Sequence, residues 1–331
     1  MHIFAQLDKR ALVAAGAALA VFGLVVSTPE LLGDRVGEAL AGLAAASPLW
    51  LWLAALSFFA LIVCTGCAWR AGVAACDGGV GTLDATARYA AGSLVNALAP
   101  GGLGGPVRIA LFSRTIPTRD RIWTSAGIAT AIGVARAPAL ALLVLAAALT
   151  AGFPLWPLLL LVGGTVLAVL VAAVTRGWTP HARVAHVLDV FRALGRCPVA
   201  AVRLAGWVSL ATAARVAAAA AIAASLGVAS PLRAALIMIP ALALAGLVPL
   251  TPGNIGVGSG AIAVALHLLG VDGSTAIATG IAFQAVETAV SLAAGSAALL
   301  CLARLPAWTL RVAAAGACLA LAGGFSATVL V

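Results

Sequence analysis

The sequence predicts an all-α protein that crosses a membrane several times, and three observations support this fold class. Apolar residues make up 63% of the 331 residues and charged residues only 9%, with a mean hydropathy of +1.16; a soluble domain is about 25% charged. Apolar runs of about 20 residues, enough for a helix to cross a ~30 Å hydrocarbon layer, recur from end to end. These runs lack the period-two alternation of barrel strands, so the spans must be helices, which satisfy their own backbone hydrogen bonds. A water-soluble enzyme is thereby excluded.

About seven apolar runs are predicted to be full spans, because charged or Pro- and Gly-containing stretches separate them. They lie at 11–28, 48–68, 122–150, 154–174, 204–226, 274–303 and 312–331. The first run follows Lys9 and Arg10 as the apolar core of a signal peptide would. Since no convincing cleavage site follows it, we interpret this run as a span.

Basic residues gather in alternate loops, and this pattern sets the expected topology. The net charge of +9 comes from 19 Lys and Arg against 10 Asp and Glu. Basic side chains concentrate near Lys9, near Arg70, at 114–121, at 176–203 and at 304–311, whereas 27–47 is mainly acidic. Since cytoplasmic loops are enriched in Lys and Arg, we expect a cytoplasmic N-terminus, an external C-terminus and a place in the cell membrane. The basic excess therefore reports topology, and no nucleic-acid partner is expected.

Two further apolar segments, 82–112 and 231–269, are each broken in the middle by Pro and Gly. The breaks share a Pro-Gly-x-aliphatic-Gly core, at 100–104 and 252–256. Broken helices at membrane depth occur only where protein or a water-filled cavity surrounds them, so each segment is predicted to be a re-entrant helical hairpin. In the expected topology the hairpins enter from opposite sides, which is the inverted repeat of secondary transporters. Two unrelated loops in a chain with 36 Gly are the alternative.

The chain is interpreted as a single integral membrane domain, 1–331, with two halves at 1–175 and 204–331. Between them, 176–203 combines Arg with apolar residues at helical spacing. This pattern favours a basic amphipathic helix on the anionic lipids of the cytoplasmic leaflet, although a charged topogenic loop explains the basicity equally well.

Nucleotide and metal chemistry find little support in the sequence. The Gly-rich breaks lack the strand and the lysine of a phosphate-binding loop, and Lys9 is the only lysine. An ATP-driven pump is therefore not expected, nor is a cofactor. Cys64 and Cys67 lie inside an apolar run and are interpreted as packing residues, so no metal site is predicted. The Gly-rich turns still leave half-helix N-termini whose N–H groups can hold an anionic head group.

Ionisable residues within the spans are costly in a membrane and are therefore functional candidates. Arg136 and Arg215 lie in the middle of spans, and Arg108 lies in the first hairpin. Glu287 belongs to a polar stripe on one helical face, together with Gln284, Thr288 and Ser291. The arginines are predicted to neutralise a phosphate, since guanidinium groups bind phosphate oxygens in pairs. Glu287 would pair with an arginine in the empty site or carry a proton; a fixed Arg–Glu pair joining two helices is the alternative.

Three segments resemble a known family. They are Asn96 to Gly104 followed by Arg108, Arg136 after Gly-Val-Ala, and Pro249 to Gly256 before an Ala-rich helix. Over nearly its whole length the chain is similar to the flippase-like integral membrane family, which includes the membrane half of lysylphosphatidylglycerol synthases (multiple peptide resistance factors) and stand-alone relatives.

The resemblance implies movement of a phospholipid or polyprenyl-linked lipid between leaflets. Family members often carry carboxylates where this chain has Gly105, Ser259 and Ala135, so any role of those carboxylates is either lost here or taken over by Glu287. The aminoacyl-transferring domain of the synthase is missing from this sequence, and synthase activity is not expected.

The leading hypothesis is therefore a lipid flippase that is not an enzyme and carries an anionic phospholipid or a polyprenyl-phosphate-linked lipid. The predicted substrate-binding residues are Asn96, Pro100, Gly101, Gly104, Arg108, Arg136, Arg215, Pro252, Gly253, Asn254 and Gly256, with Gln284 and Glu287 for coupling or ion pairing. Two alternatives stay open. One is a membrane-embedded lipid-modifying enzyme of the polyprenyl-phosphate glycosyltransferase type; the other is an accessory subunit of a lipid synthase. A homo-oligomer is a further open hypothesis.

Overall fold

A computed structural model describes residues 46–98, 103–151, 182–246 and 256–302, and the regular structure in these ranges is entirely α-helical. The nine helices found there are α1 (Pro48–Ala75), α2 (Thr82–Leu98), α3 (Gly104–Ser113), α4 (Arg121–Ala151), α5 (Ala182–Arg196), α6 (Pro198–Ser225), α7 (Pro231–Ala245), α8 (Val257–Leu268) and α9 (Gly273–Leu302). The predicted spans at 11–28, 154–174 and 312–331 lie outside the described residues, so the count of seven spans stays a prediction.

Four helices are long and apolar enough to cross a membrane: α1, α4, α6 and α9. They contain 28 to 31 residues, and the mean hydropathy of their apolar windows is 1.6 to 2.2. The all-α, multi-pass fold class is therefore confirmed. Two helices extend past the predicted bounds, to include Arg70 in α1 and Arg203 in α6. A long arginine can keep its charge in water while its stem covers apolar surface, so a charge need not end the helix.

Four shorter helices form two pairs, and each pair folds back on itself. In the first pair, Arg88 in the first half of α2 donates a hydrogen bond to the Leu111 carbonyl near the end of α3 (2.6 Å). In the second, Leu242 of α7 lies beside Gly258 of α8. With 10 residues, α3 is about 15 Å long, too short to cross a bilayer. The two pairs occupy the segments predicted as hairpins, and the breaks at 99–102 and 247–255 lie outside the described residues.

The order of one long helix, two short helices and one long helix occurs twice, as α1–α4 and α6–α9. The contacts repeat as well, because α2 packs against α9 and α7 packs against α4. The central helices α1 and α6 are antiparallel: the Ser47 amide donates to the Ser225 carbonyl (3.1 Å) at one end, and Trp69 joins Leu204 in a buried cluster near the other. The first helices of the two sets of four therefore run in opposite directions.

Small residues allow the helices to approach one another closely. A Cβ at Gly280 of α9 would overlap the Ser259 carbonyl of α8, and one at Gly295 would overlap Leu94 of α2. Phe58 and Phe283 pack edge to face between α1 and α9, with ring centroids 5.1 Å apart. Close packing of this kind replaces the hydrophobic driving force, which is absent between helices in lipid.

The helix α5 lies within the segment predicted to be basic and amphipathic, 176–203. Its Val190 and Leu194 are buried in a cluster with residues of α1 and α4, and Gly127 of α4 makes room for Val190. Arg192 and Arg196 are exposed. The apolar side of α5 therefore packs against the bundle, while binding of anionic lipid by its basic side stays a prediction.

Candidate functional site

A cavity of about 440 Å³ lies between the two sets of helices, near the middle of α4 and α9. This volume is in the range of pockets that hold a small molecule, about 300–1,000 Å³. Both pairs of short helices reach it: Asn96 and Ala97 contribute from the last turn of α2, and Ala243 and Gly246 from the end of α7. The two broken segments thus border one space.

Six of the predicted site residues line this cavity, namely Asn96, Arg108, Arg136, Arg215, Gln284 and Glu287. Gly104 is buried against Asn96, whereas Gly256 precedes α8 with φ at +92°, a conformation that glycine adopts readily. Neither glycine is among the lining residues. Pro100, Gly101, Pro252, Gly253 and Asn254 lie outside the described residues, so their role stays a prediction.

Arg108 reaches the cavity from α3 and is held by α2. Its Nη2 donates to Ser93 Oγ (3.0 Å), and its guanidinium carbon lies 4.4 Å from the centroid of the Tyr89 ring. A Cβ at Gly92 would overlap the side chain of Arg108, so this glycine makes room for it. The Nε atom of Arg108 is buried and has no acceptor among the described residues.

Arg215 and Glu287 form an ion pair that joins α6 to α9. Arg215 Nη2 donates to Glu287 Oε1 at 2.7 Å, and the two side chains are 18% and 27% exposed. The Nε atom of Arg215 is buried without an acceptor among the described residues. Removal of one partner of such a pair would leave a partly buried charge uncompensated, so either single substitution is expected to weaken the contact between the two helices.

Arg136 lies on the α4 side of the same cavity and is only partly exposed. Arg215 and Glu287 both act on it electrostatically, the first as a like charge and the second as an opposite one. Within the described residues, Arg136 makes no hydrogen bond and no salt bridge. Its charge is therefore uncompensated by direct contact.

The described cavity wall carries three guanidinium groups against one carboxylate. Because Glu287 offsets Arg215, the excess of two positive charges belongs to Arg108 and Arg136. The undescribed break segments, 99–102 and 247–255, contain no ionisable residue. Charges interact more strongly where water is scarce, so this wall is suited to an anion.

One part of the cavity wall is apolar. Phe58, Leu61 and Ile62 of α1 line it together with Leu140 of α4 and Ile239 of α7. A ligand with a charged group at one end and hydrocarbon at the other would match both parts of the wall.

The sequence profile of the lysylphosphatidylglycerol synthase transmembrane region matches residues 12–295. The chain belongs to this family. Comparisons with curated proteins and with solved structures give no significant match. Membership confirms the resemblance seen in the sequence and connects the chain with membrane lipids. The matched range begins before α1, reaches residue 295 within α9, and includes every residue that lines the cavity.

Sequence reasoning missed Tyr89 and Ser93, which contact Arg108 in this member of the synthase transmembrane family. With Asn96 they occupy positions i, i+4 and i+7 of α2, and all three line the cavity. This spacing places them on one helical face. Polar residues at helical spacing, which reveal the stripe on α9, therefore also indicate a second stripe on α2.

Outside the cavity, a polar cluster lies at the end of the bundle where the predicted cytoplasmic loops meet. His186 of α5 lies 3.1 Å from Asp120, just before α4. Burial raises the pKa of the nearby Cys76 thiol to about 11, so this cysteine stays protonated at neutral pH. Among the described residues no group of three or more His, Cys, Asp and Glu side chains could hold a metal ion.

Proposed function

We propose that this protein moves an anionic lipid between membrane leaflets without ATP hydrolysis of its own. The observation that carries the proposal is the pair of uncompensated arginines, Arg108 and Arg136, in a cavity that both pairs of short helices border. The lipid phosphate would enter the basic part of the cavity, and its hydrocarbon would follow the apolar part. Membership of a lipid-related membrane family supports this choice of ligand.

The proposed architecture has seven spans and two re-entrant hairpins, formed by α2–α3 and α7–α8, which enter from opposite sides. The antiparallel arrangement of α1 and α6 supports it. In transporters with inverted repeats, rocking of one repeat against the other opens a midplane site to each side in turn. Here the two sets of four helices would rock around the cavity.

The four charged residues would have different roles. Arg108 and Arg136 would bind the phosphate, because neither has a carboxylate partner in the described residues. Arg215 and Glu287 would keep α6 and α9 together in the empty state, and Glu287 would release Arg215 or take up a proton during transport. Asn96 and Gln284 supply neutral donors and acceptors for the rest of the head group.

The proposal also covers cellular placement and chemistry. The basic ends of α1, α4, α5 and α6 are taken to face the cytoplasm, because basic loops stay on that side of the cell membrane. The protein would then act as a carrier and not as an enzyme.

Leaflet exchange in proteoliposomes tests the proposal. Purified full-length protein is reconstituted with a trace of fluorescent anionic phospholipid, and a membrane-impermeant reductant is added outside. In protein-free vesicles about half of the signal should be protected, whereas active protein should bring most of the label within reach of the reductant. Failure to move any anionic lipid, with or without proton and sodium gradients, would overturn the proposal.

A further inference from the structure

We propose that the lipid carried has a head group that ends in a phosphate monoester, and that phosphodiester lipids are poorer substrates. This inference rests on the proposed function and narrows its substrate class. Its basis is the balance of charges and of hydrogen-bond donors around the cavity.

The charge balance favours a ligand with two negative charges. Arg215 is neutralised by Glu287 at 2.7 Å, while Arg108 and Arg136 have no carboxylate partner among the described residues. A phosphate monoester carries a charge of about −1.5 to −2 at pH 7. A phosphodiester carries a single negative charge and would leave one guanidinium uncompensated, which is costly within a membrane span.

The donors of the cavity point to the same ligand. A guanidinium has five N–H donors and no acceptor. Arg108 uses one donor on Ser93, and its buried Nε has no acceptor among the described residues. The guanidinium of Arg136, which also lines the cavity, makes no hydrogen bond within the described part of the chain. A terminal phosphate presents three strong acceptor oxygens, whereas a diester has two non-bridging ones, so the monoester pairs more of these donors.

Two classes of lipid provide this chemistry: polyprenyl monophosphates and phosphatidic acid. They share the terminal phosphate and differ in the hydrocarbon. The apolar part of the wall, from Phe58 to Ile62 in α1 and Leu140 in α4, would contact the first segment of either chain.

The experiment compares three labelled lipids in separate proteoliposomes at pH 7.5: phosphatidic acid, a polyprenyl monophosphate, and phosphatidylglycerol as the phosphodiester. For at least one monoester we expect exchange about tenfold faster than for phosphatidylglycerol, the factor that one extra charge pair of modest strength provides. Exchange of only one of the two monoesters supports the inference and identifies which lipid provides the terminal phosphate. Equal or faster exchange of phosphatidylglycerol overturns the inference but leaves the proposed function intact. Absence of exchange for all three lipids contradicts both.

Variants link the preference to the cavity. Arg136→Gln should lower monoester exchange to the phosphatidylglycerol rate, whereas Arg136→Lys, which keeps the charge, should retain part of the preference. Arg233→Gln is the matched control, because Arg233 is exposed near the start of α7 and does not line the cavity. An unchanged preference in a correctly folded Arg136→Gln protein would overturn the inference.

A competition measurement uses the wild-type protein alone and does not depend on the folding of a variant. Inorganic phosphate in the vesicle lumen and outside should slow lipid exchange more strongly than dimethyl phosphate at the same concentration and ionic strength. Equal inhibition by the two anions would count against recognition of a second negative charge.

Discussion

The two sets of four helices share an architecture but contribute different chemistry to the cavity. When the two sets are aligned so that Pro100 matches Pro252, Thr288 occupies the position of Arg136, and Glu287 occupies the position of Ala135. The first set contributes Arg108 and Arg136, which have no carboxylate partner in the described residues, whereas the second contributes a pair that neutralises itself. Two sets of helices with the same order can therefore differ in the charges that they leave without a partner.

The largest loss of lipid exchange is expected from substitution of Arg136. Arg136→Gln should slow exchange of a phosphate-bearing lipid about tenfold or more, since a hydrogen bond to a charged group contributes about 1.5–3 kcal/mol. The proteoliposome assay measures the rate, and thermal unfolding followed by intrinsic fluorescence checks the fold. Parallel losses of rate and of Tm would assign Arg136 a structural role instead.

A substitution in the second set of helices should lower mainly the stability of the protein. Glu287→Gln leaves Arg215 without its carboxylate. Because both side chains keep some contact with solvent, we expect the free energy of unfolding to fall by about 2–3 kcal/mol, which is less than the 3–5 kcal/mol for a fully buried pair. Denaturant unfolding in detergent measures it.

A double-mutant cycle provides the control for this pair. Arg215→Gln combined with Glu287→Gln should recover part of the stability, because no charge is then left unpaired. If the two single losses simply add, Arg215 and Glu287 do not stabilise each other.

Two glycines, one in each set of four helices, each make room for one polar side chain. A Cβ at Gly92 would displace Arg108, and one at Gly258 would displace the Gln284 amide. Because only the first displacement moves a charge, Gly92→Ala should slow lipid exchange several-fold more than Gly258→Ala. Rate measurements on the two variants at matched protein incorporation would test this, and the reverse order would contradict the assigned roles.

The smallest effect is expected at Tyr89, whose ring lies under Arg108. Tyr89→Leu should weaken exchange about fivefold, because a partly desolvated cation–π contact contributes about 1 kcal/mol. Tyr89→Phe keeps the ring and should behave like the wild type in the same assay. If the two variants are equally slow, the hydroxyl matters and the ring does not.

Much of the fold could be predicted from local sequence properties. The four long helices follow from continuous apolar runs, and the two pairs of short helices follow from Pro and Gly in otherwise apolar segments. Some helix ends were less predictable, because Arg70 and Arg203 look like ends but continue a helix. The charged site residues were found because arginine and glutamate are rare within spans.

The pairing within the site could not be predicted in the same way. Arg215 and Glu287 are 72 residues apart, and their contact depends on how α6 and α9 pack together. The sequence therefore left open which arginine Glu287 would neutralise. The support of Arg108 by Tyr89 and Ser93 depends on α3 folding back along α2, although the stripe on α2 could have been noticed.

A structure of the full-length protein in lipid nanodiscs that contain a phosphate monoester lipid would show directly whether the first set of helices binds the anion. Phosphate density is expected in the cavity, within hydrogen-bond distance of both Arg108 and Arg136, with the Arg215–Glu287 pair still formed. A cavity filled only by hydrocarbon, or a phosphate bound by Arg215 while Arg136 stays without a ligand, would contradict the assignment of anion binding to the first half.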